Sequence, residues 1–198
     1  MSNTLVLRLI EGMAGTIESH ADQLTRLDQA IGDGDHGINL ERGFDVLLAE
    51  KDAIAELPWP KALQEAGKVL VSKVGGASGA LYGSFLLGMA KAAEEGVDVA
   101  SQVEAGVAAV RKRGKSDVGA KTMLDVLVPV SEALAEGRAG DLRRIADEAR
   151  EATGPMKATR GRASFLGERS IGHCDPGATS ARLLIHAVLD VIEQGDAR

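Results

Sequence analysis

Asp28, Asp33 and Asp35 stand within eight positions of one another in the segment Leu27-Asp-Gln-Ala-Ile-Gly-Asp-Gly-Asp-His-Gly-Ile-Asn39. Carboxylates held this close repel, and a bound cation removes that repulsion. Gly32, Gly34 and Gly37 give the backbone access to positive φ and let a ligand approach closely. Three hard oxygen donors suit Mg²⁺, which prefers carboxylates, phosphate oxygens and water. One or two Mg²⁺ held here would direct positive charge outward, toward a polyphosphate. The plain alternative is a solvated turn, since Asp and Gly are common turn residues. The spacing of Asp28 from Asp35, and the helix start read at His36-Gly37-Ile38-Asn39, favour a ligand site.

Other motifs fail on this segment. An EF-hand loop counted from Asp33 has Gly37 at its fifth position and Phe44 where the closing glutamate belongs. Gly32, Gly34 and Gly37 satisfy Gly-x-Gly-x-x-Gly, but the intervening aspartates would repel a pyrophosphate unless metal lay between. A P-loop ending in Gly114-Lys115-Ser116 has Ala109 in place of its first glycine. No paired Cys-x-x-Cys or His-x-x-x-His spacing joins His36, His173 and Cys174, which argues against zinc. His36 is read instead as donating to a phosphate or orienting an aspartate, and Cys174 as a packed thiol.

Three more glycine-rich junctions precede expected helices. Gly75-Gly76-Ala77-Ser78-Gly79 exposes amide donors and a hydroxyl, and helix N-termini attract phosphate. Gly119-Ala-Lys121-Thr122-Met123-Leu124-Asp125 is the second. The third is Asp175-Pro176-Gly177-Ala178-Thr179, preceded by a loop bearing Lys157, Arg160, Arg162 and Arg169 that could fold over a nucleotide. Each has a bland reading as a turn or a solvated loop. Together they could occupy one end of an up-down bundle.

The elements that would position these junctions carry helical spacing. Val6, Ile10, Met13, Ile17 and Leu24 form a first stripe ending near Asp28, although Leu5, Leu7 and Leu9 also alternate as a short strand would. Leu40, Phe44, Leu47 and Leu48 form a second, broken by Pro58 and Pro60. Leu63, Ala66, Leu70 and Val74 form a third, stopped at Gly75-Gly76. Ser78 is read as the N-cap of the next, through Leu81, Phe85 and Met89. Gly79 and Gly83 on it permit close approach of a neighbour. Val99, Val103, Val107 and Val110 end in a basic cluster and Gly114, which suits a helix C-terminus. Thr122-x-x-Asp125 resembles a capping box, with Pro129 predicting a kink or a late start. Asp141 is read as a cap, Gly154-Pro155 as an interruption or end, and residues 159–175 as loop. Asp175 caps the last helix, with Pro176 in its first turn. The expectation is an all-α bundle of about eight helices.

Composition agrees. The 198 residues are 44% hydrophobic but only 3% aromatic, which favours closely packed helices over a β-sandwich. The net charge of -6 argues against general nucleic-acid or anionic-membrane binding. One cysteine excludes an internal disulfide and fits a reducing cytoplasm. No apolar run reaches transmembrane length, and the start lacks a signal-peptide pattern. A single domain over residues 1–198 is expected.

Four ordered motifs then resemble a known family: Leu-Asp-x-Ala-Ile-Gly-Asp-x-Asp-His-Gly-x-Asn, Gly-Gly-Ala-Ser-Gly, Gly-x-Lys-Thr-Met-x-Asp and Ala-Ser-x-Leu-Gly-Glu-Arg-Ser-Ile-Gly-His-x-Asp-Pro-Gly-Ala. They resemble the nucleotide-binding L subunit, or L domain, of dihydroxyacetone kinases, from about Leu5 to Glu193. The resemblance implies an antiparallel eight-helix barrel with ADP or ATP and two Mg²⁺ at one end. It implies metal binding by Asp28, Asp33 and Asp35, and phosphate contact by His36, Gly37, Ile38 and Asn39. It implies further nucleotide contacts at Ala77, Ser78, Gly114, Met123, Arg162, Asp175, Pro176 and Gly177. No residue is assigned as the base that deprotonates the acceptor. Dihydroxyacetone would be held by a separate K subunit, and a homodimer is also open. A phosphotransferase-system protein would rephosphorylate bound ADP, an expectation favoured by a separate short L chain. The alternatives are an ATP-exchanging kinase subunit, another short ketose such as erythrulose, or, from a different class, a non-catalytic Ca²⁺-binding helical domain.

Overall fold

The computed structural model describes residues 2–196. The first helix, α1 (Asn3–Ile31), begins at Ser2, whose hydroxyl accepts from the Leu5 amide at 3.2 Å. The strand suggested by Leu5, Leu7 and Leu9 does not form. Its buried stripe runs Val6, Ile10, Ala14, Ile17, Ala21, Leu24, Asp28 and Ile31. Helical spacing therefore places Asp28 on the face that turns inward.

The remaining helices are α2 (His36–Ala49), α3 (Lys51–Ala55), α4 (Trp59–Lys73), α5 (Gly76–Glu94), α6 (Val99–Gly114), α7 (Leu124–Ala135), α8 (Leu142–Ala152) and α9 (Pro176–Asp196). The described residues thus hold nine α-helices and no strand, the five-residue α3 being the one that periodicity did not reveal. Short 3-10 stretches at Ala139–Asp141 and Arg162–Ser170 complete the set, so part of the segment read as loop is helical.

Several expected boundaries shift. Pro58 interrupts the chain, but Pro60 sits in the first turn of α4, where its missing N–H costs nothing. The N-cap of α5 is Gly75 rather than Ser78, whose hydroxyl donates back to the Gly75 carbonyl. Asp141 precedes α8 without a capping hydrogen bond and pairs with Arg144 instead. Half of the Thr122–Asp125 capping box forms: Asp125 accepts from the Thr122 amide at 2.7 Å, but Thr122 Oγ1 accepts from the Leu124 amide at 3.2 Å and α7 is entered at Met123. Helix α7 runs through Pro129.

Each long helix packs on its neighbours in chain order, and α9 returns to pack on α1, closing a ring around one hydrophobic core. Short connections between packed neighbours make those helices antiparallel. At the α4–α5 wall a Cβ on Gly79 would lie 2.2 Å from the Val74 carbonyl oxygen, so the expected close approach occurs there. In such a ring every second connection lies at the same pole. Residues 32–35, 74–75, 115–123 and 153–175 are those connections.

Candidate functional site

Contacts among the four junctions bring them together. A Cβ on Gly75 would lie 2.5 Å from Asn39 Oδ1, joining the second junction to the first turn of α2. Arg42 ties the same region, donating to Asn39 Oδ1 at 2.9 Å and to the Lys73 carbonyl at 3.0 Å. A Cβ on Gly177 would lie 3.5 Å from the Met123 amide nitrogen, joining the third to the fourth. Arg162 reaches from the last junction to Asp33 Oδ2 at 2.9 Å.

At the centre are the three aspartates, each offering a carboxylate oxygen within 4.8 Å of the others. They form the one group of three or more such ligands among the described residues. Asp28 is buried, Asp35 half-buried and Asp33 exposed. Asp28 Oδ2 accepts from the Asp35 amide at 2.9 Å and the His36 amide at 3.2 Å, which fixes its rotamer across the turn. A Cβ on Gly32 would lie 2.0 Å from Asp28 Oδ1, so the glycine keeps that oxygen clear. Hard oxygen donors, one locked and one left open by a missing side chain, fit a cation such as Mg²⁺.

Two helix N-termini face this cluster. Neither N-cap residue, Asp35 of α2 or Gly75 of α5, caps its helix through a side chain, and at α2 Asp28 takes only the first amide, that of His36. First-turn amides without intrahelical partners attract anions. Gly76 adopts φ +66°, and a Cβ on it would lie 3.9 Å from Asp35 Oδ1. Ala77 and Ser78 therefore open α5 beside the carboxylates, as His36 to Asn39 open α2.

The His36 ring points elsewhere. Its Nε2 lies 2.9 Å from Ser180 Oγ, which lies 2.7 Å from Tyr82 Oη. This chain links α2, α9 and α5 beneath the site, and burial pushes the Tyr82 phenol well up. Neither Ser180 nor Tyr82 was picked out from sequence. Burial lowers the His36 pKa below its usual value, although Asp28, Asp35 and a Pro176 backbone contact oppose the shift. The folded value lies below the unfolded one, so the associated stability is full above about pH 6.5 and is lost as pH falls through the folded value. Wild type should lose more melting temperature than His36→Gln between pH 6.5 and 5. Its extra loss is at most about 1.4 kcal/mol per pH unit, and parallel pH profiles would contradict it.

Asp175 caps α9 as expected, accepting from the Ala178 amide at 2.7 Å. Burial pushes its carboxyl up to about 7, against the pull of that hydrogen bond and of Lys121. Met123 is buried in the core and borders this turn with its amide nitrogen and its Cβ, 3.5 and 3.6 Å from a Cβ placed on Gly177. Gly114 ends α6, and a Cβ there would lie 3.4 Å from Leu81 on α5. Beside it opens a pocket of about 440 Å³ lined by Arg111, Lys115, Ser116, Asp117, Val118, Gly119, Ala120, Thr159 and Arg160. Of these, the sequence reading had singled out only Arg160 and the glycine junction for binding. His173 and Cys174 join no cluster of ligands among the described residues. No described helix is long and apolar enough to cross a membrane.

Comparison with known proteins identifies relatives over nearly the whole chain. The chain is 47% identical over 190 residues to the ADP-binding subunit DhaL of a PEP-dependent dihydroxyacetone kinase of Listeria innocua, covering 92% of this chain and 93% of that protein. It is 40% identical over 178 residues to the ADP-binding subunit of the PTS-dependent dihydroxyacetone kinase of Lactococcus lactis, covering 89% and 91% of the two chains. The dihydroxyacetone kinase of C. freundii, solved with AMP-PNP and Mg²⁺, shares the fold with a TM-score of 0.78 at 24% identity. That match spans 96% of this chain but only 34% of the longer C. freundii chain. A sequence model of the DAK2 domain matches residues 30–190, and the chain belongs to the DAK2 domain family.

Proposed function

We propose that this chain is the nucleotide-holding subunit of a dihydroxyacetone kinase, acting as one L-type domain over residues 1–198. The observation that carries this reading is the convergence of Asp28, Asp33 and Asp35 beside two helix N-termini whose N-cap residues supply no side-chain cap. Near full-length similarity to subunits named as ADP-binding supports it.

Asp28, Asp33 and Asp35 would hold two Mg²⁺, which neutralise charge on the phosphate oxygens. The amides of Gly37 and Ile38 and those of Ala77 and Ser78 take phosphate oxygens directly. Asn39 is braced by Arg42 and keeps the Gly75-Gly76 backbone against them. Arg162 closes over the exposed aspartate, adding the positive charge that phosphoryl transfer needs at its edge. The pocket beside Gly114 takes the nucleoside, and Met123 and the Asp175-Pro176-Gly177 turn, packed on each other, lie on the stretch of chain that follows its Gly119-Ala120 wall and on the entry to α9. His36 acts through its backbone, its ring being committed to Ser180.

The acceptor, dihydroxyacetone, sits on a separate K-type subunit whose own groups deprotonate it. The names of the Listeria and Lactococcus relatives support a phosphotransferase-system protein as the source of the phosphoryl group. ADP then stays bound as a cofactor between turnovers, in the cytoplasm. Titration calorimetry of ADP, with and without Mg²⁺, tests the reading. Tight binding only with Mg²⁺ is expected. Binding of Ca²⁺ without any nucleotide would replace the kinase reading with that of a calcium-binding helical domain.

A further inference from the structure

Lys121 has the wrong surroundings for a lysine. It is 1% exposed and its backbone lies at φ +62°. Its Nζ donates to the carbonyls of Thr153 at 2.8 Å, Gly154 at 3.3 Å, Met156 at 3.0 Å and Ser170 at 2.8 Å. An ammonium has three protons, so four acceptors saturate it. Two of these carbonyls follow directly on α8, where the helix dipole favours a cation. The fourth closes the 3-10 stretch Arg162–Ser170.

One buried cation thus fastens both feet of the 153–171 segment. Smaller ties run alongside: Ala158 donates to Ser170 Oγ at 2.9 Å, and Gly172 donates to the Gly154 carbonyl at 2.9 Å. Between its feet the segment packs on Ile31 of α1 through Ala158, Ala163 and Leu166, and there it carries Arg162 to Asp33. Arg162 itself is well exposed, with no packing of its own to hold it over the carboxylates. Its position is set by that small apolar contact and by the feet, which keep the segment in place to make it.

We infer that Lys121 is the positioning residue for Arg162, holding the 153–171 segment over the aspartate pole without touching the ligand. This rests on the proposed function, in which Arg162 meets the nucleotide.

A double-mutant cycle tests it. Lys121→Met should weaken Mg²⁺-dependent ADP binding roughly tenfold in the wild-type background, but less than about twofold in Arg162→Ala. Equal losses in both backgrounds would overturn the inference, because a general structural role does not depend on Arg162. Hydrogen exchange supplies a readout independent of nucleotide: amides of 156–170 should exchange at least about tenfold faster in Lys121→Met, with α1 and α2 unchanged. Unchanged protection in that segment would also overturn it. If Lys121→Met does not fold, Lys121→Gln keeps two donors and takes its place in both measurements. Failure of wild type to bind ADP would remove the proposed function, and Lys121 would then be judged by hydrogen exchange alone.

Discussion

Asp35→Ala should abolish Mg²⁺-dependent ADP binding while leaving the helical circular dichroism and melting temperature nearly unchanged. The expected loss exceeds about 100-fold, more than removal of an outer partner of a metal site produces. The separation of function from fold follows from how Asp35 is held. Its side chain makes no capping hydrogen bond to α2. What Asp35 contributes to the fold is backbone: its carbonyl accepts from the Asn39 amide at 2.9 Å and its amide donates to Asp28. Both bonds survive truncation. Asp28→Ala should behave differently, because it strips two amides of their acceptor and loosens the entry to α2 as well as the ligand set. Calorimetric titration with ADP and Mg²⁺, paired with thermal unfolding, separates the cases. Binding by Asp35→Ala within tenfold of wild type would remove Asp35 from the cation site.

Gly37→Ala should cost about 3 kcal/mol of stability, the upper end of ordinary overpacking, and lower the melting temperature by roughly 6–12 °C. The added methyl would lie 2.0 Å from the Ala21 carbonyl oxygen and 2.5 Å from Thr25 Oγ1. The first of these is backbone in the middle of α1, which cannot swing aside. Helix α2 must back away, drawing Asp35 and the His36 amide from Asp28, so Mg²⁺-dependent ADP binding should weaken too. Gly15→Ala is the control. Gly15 lies in α1, the helix that Gly37 packs against, and a Cβ there meets nothing within 4 Å. It should stabilise the helix by about 0.5–1 kcal/mol. A melting temperature for Gly37→Ala within about 2 °C of wild type would refute the packing account.

The parts of this molecule that were legible in sequence are those written in local pattern. The aspartate cluster announced itself through residue type and spacing. The long helices did so through apolar stripes, with Asp28 falling on the inward stripe of α1. What escaped depends on partners distant in the chain. Lys121 reads as a surface residue until carbonyls 32 to 49 positions away are placed around it. The His36 ring looked free to meet a phosphate, but it is captured by Ser180, 144 positions on. Helix α3 is too short to show periodicity. Ser78 looked like a cap because hydroxyls usually are, whereas here the glycine pair makes the turn and the serine falls inside the helix.

The closure of α9 onto α1 has a consequence for how the molecule comes to exist. Arg8 donates to the Val191 carbonyl across 183 positions of chain. Contacts of such long separation form late, since the entropy of closing so large a loop opposes them until the intervening structure is in place. The aspartate pole hangs from both sides of this seam: Asp28 lies near the end of α1, while Ser180 and the Asp175 cap belong to α9. A chain still emerging from the ribosome therefore has its three carboxylates long before it has α9, whose Ser180 holds the His36 ring beside them. The aspartate pole in its complete form is therefore a property of the finished ring, and the proposed nucleotide site exists only once α9 has closed on α1.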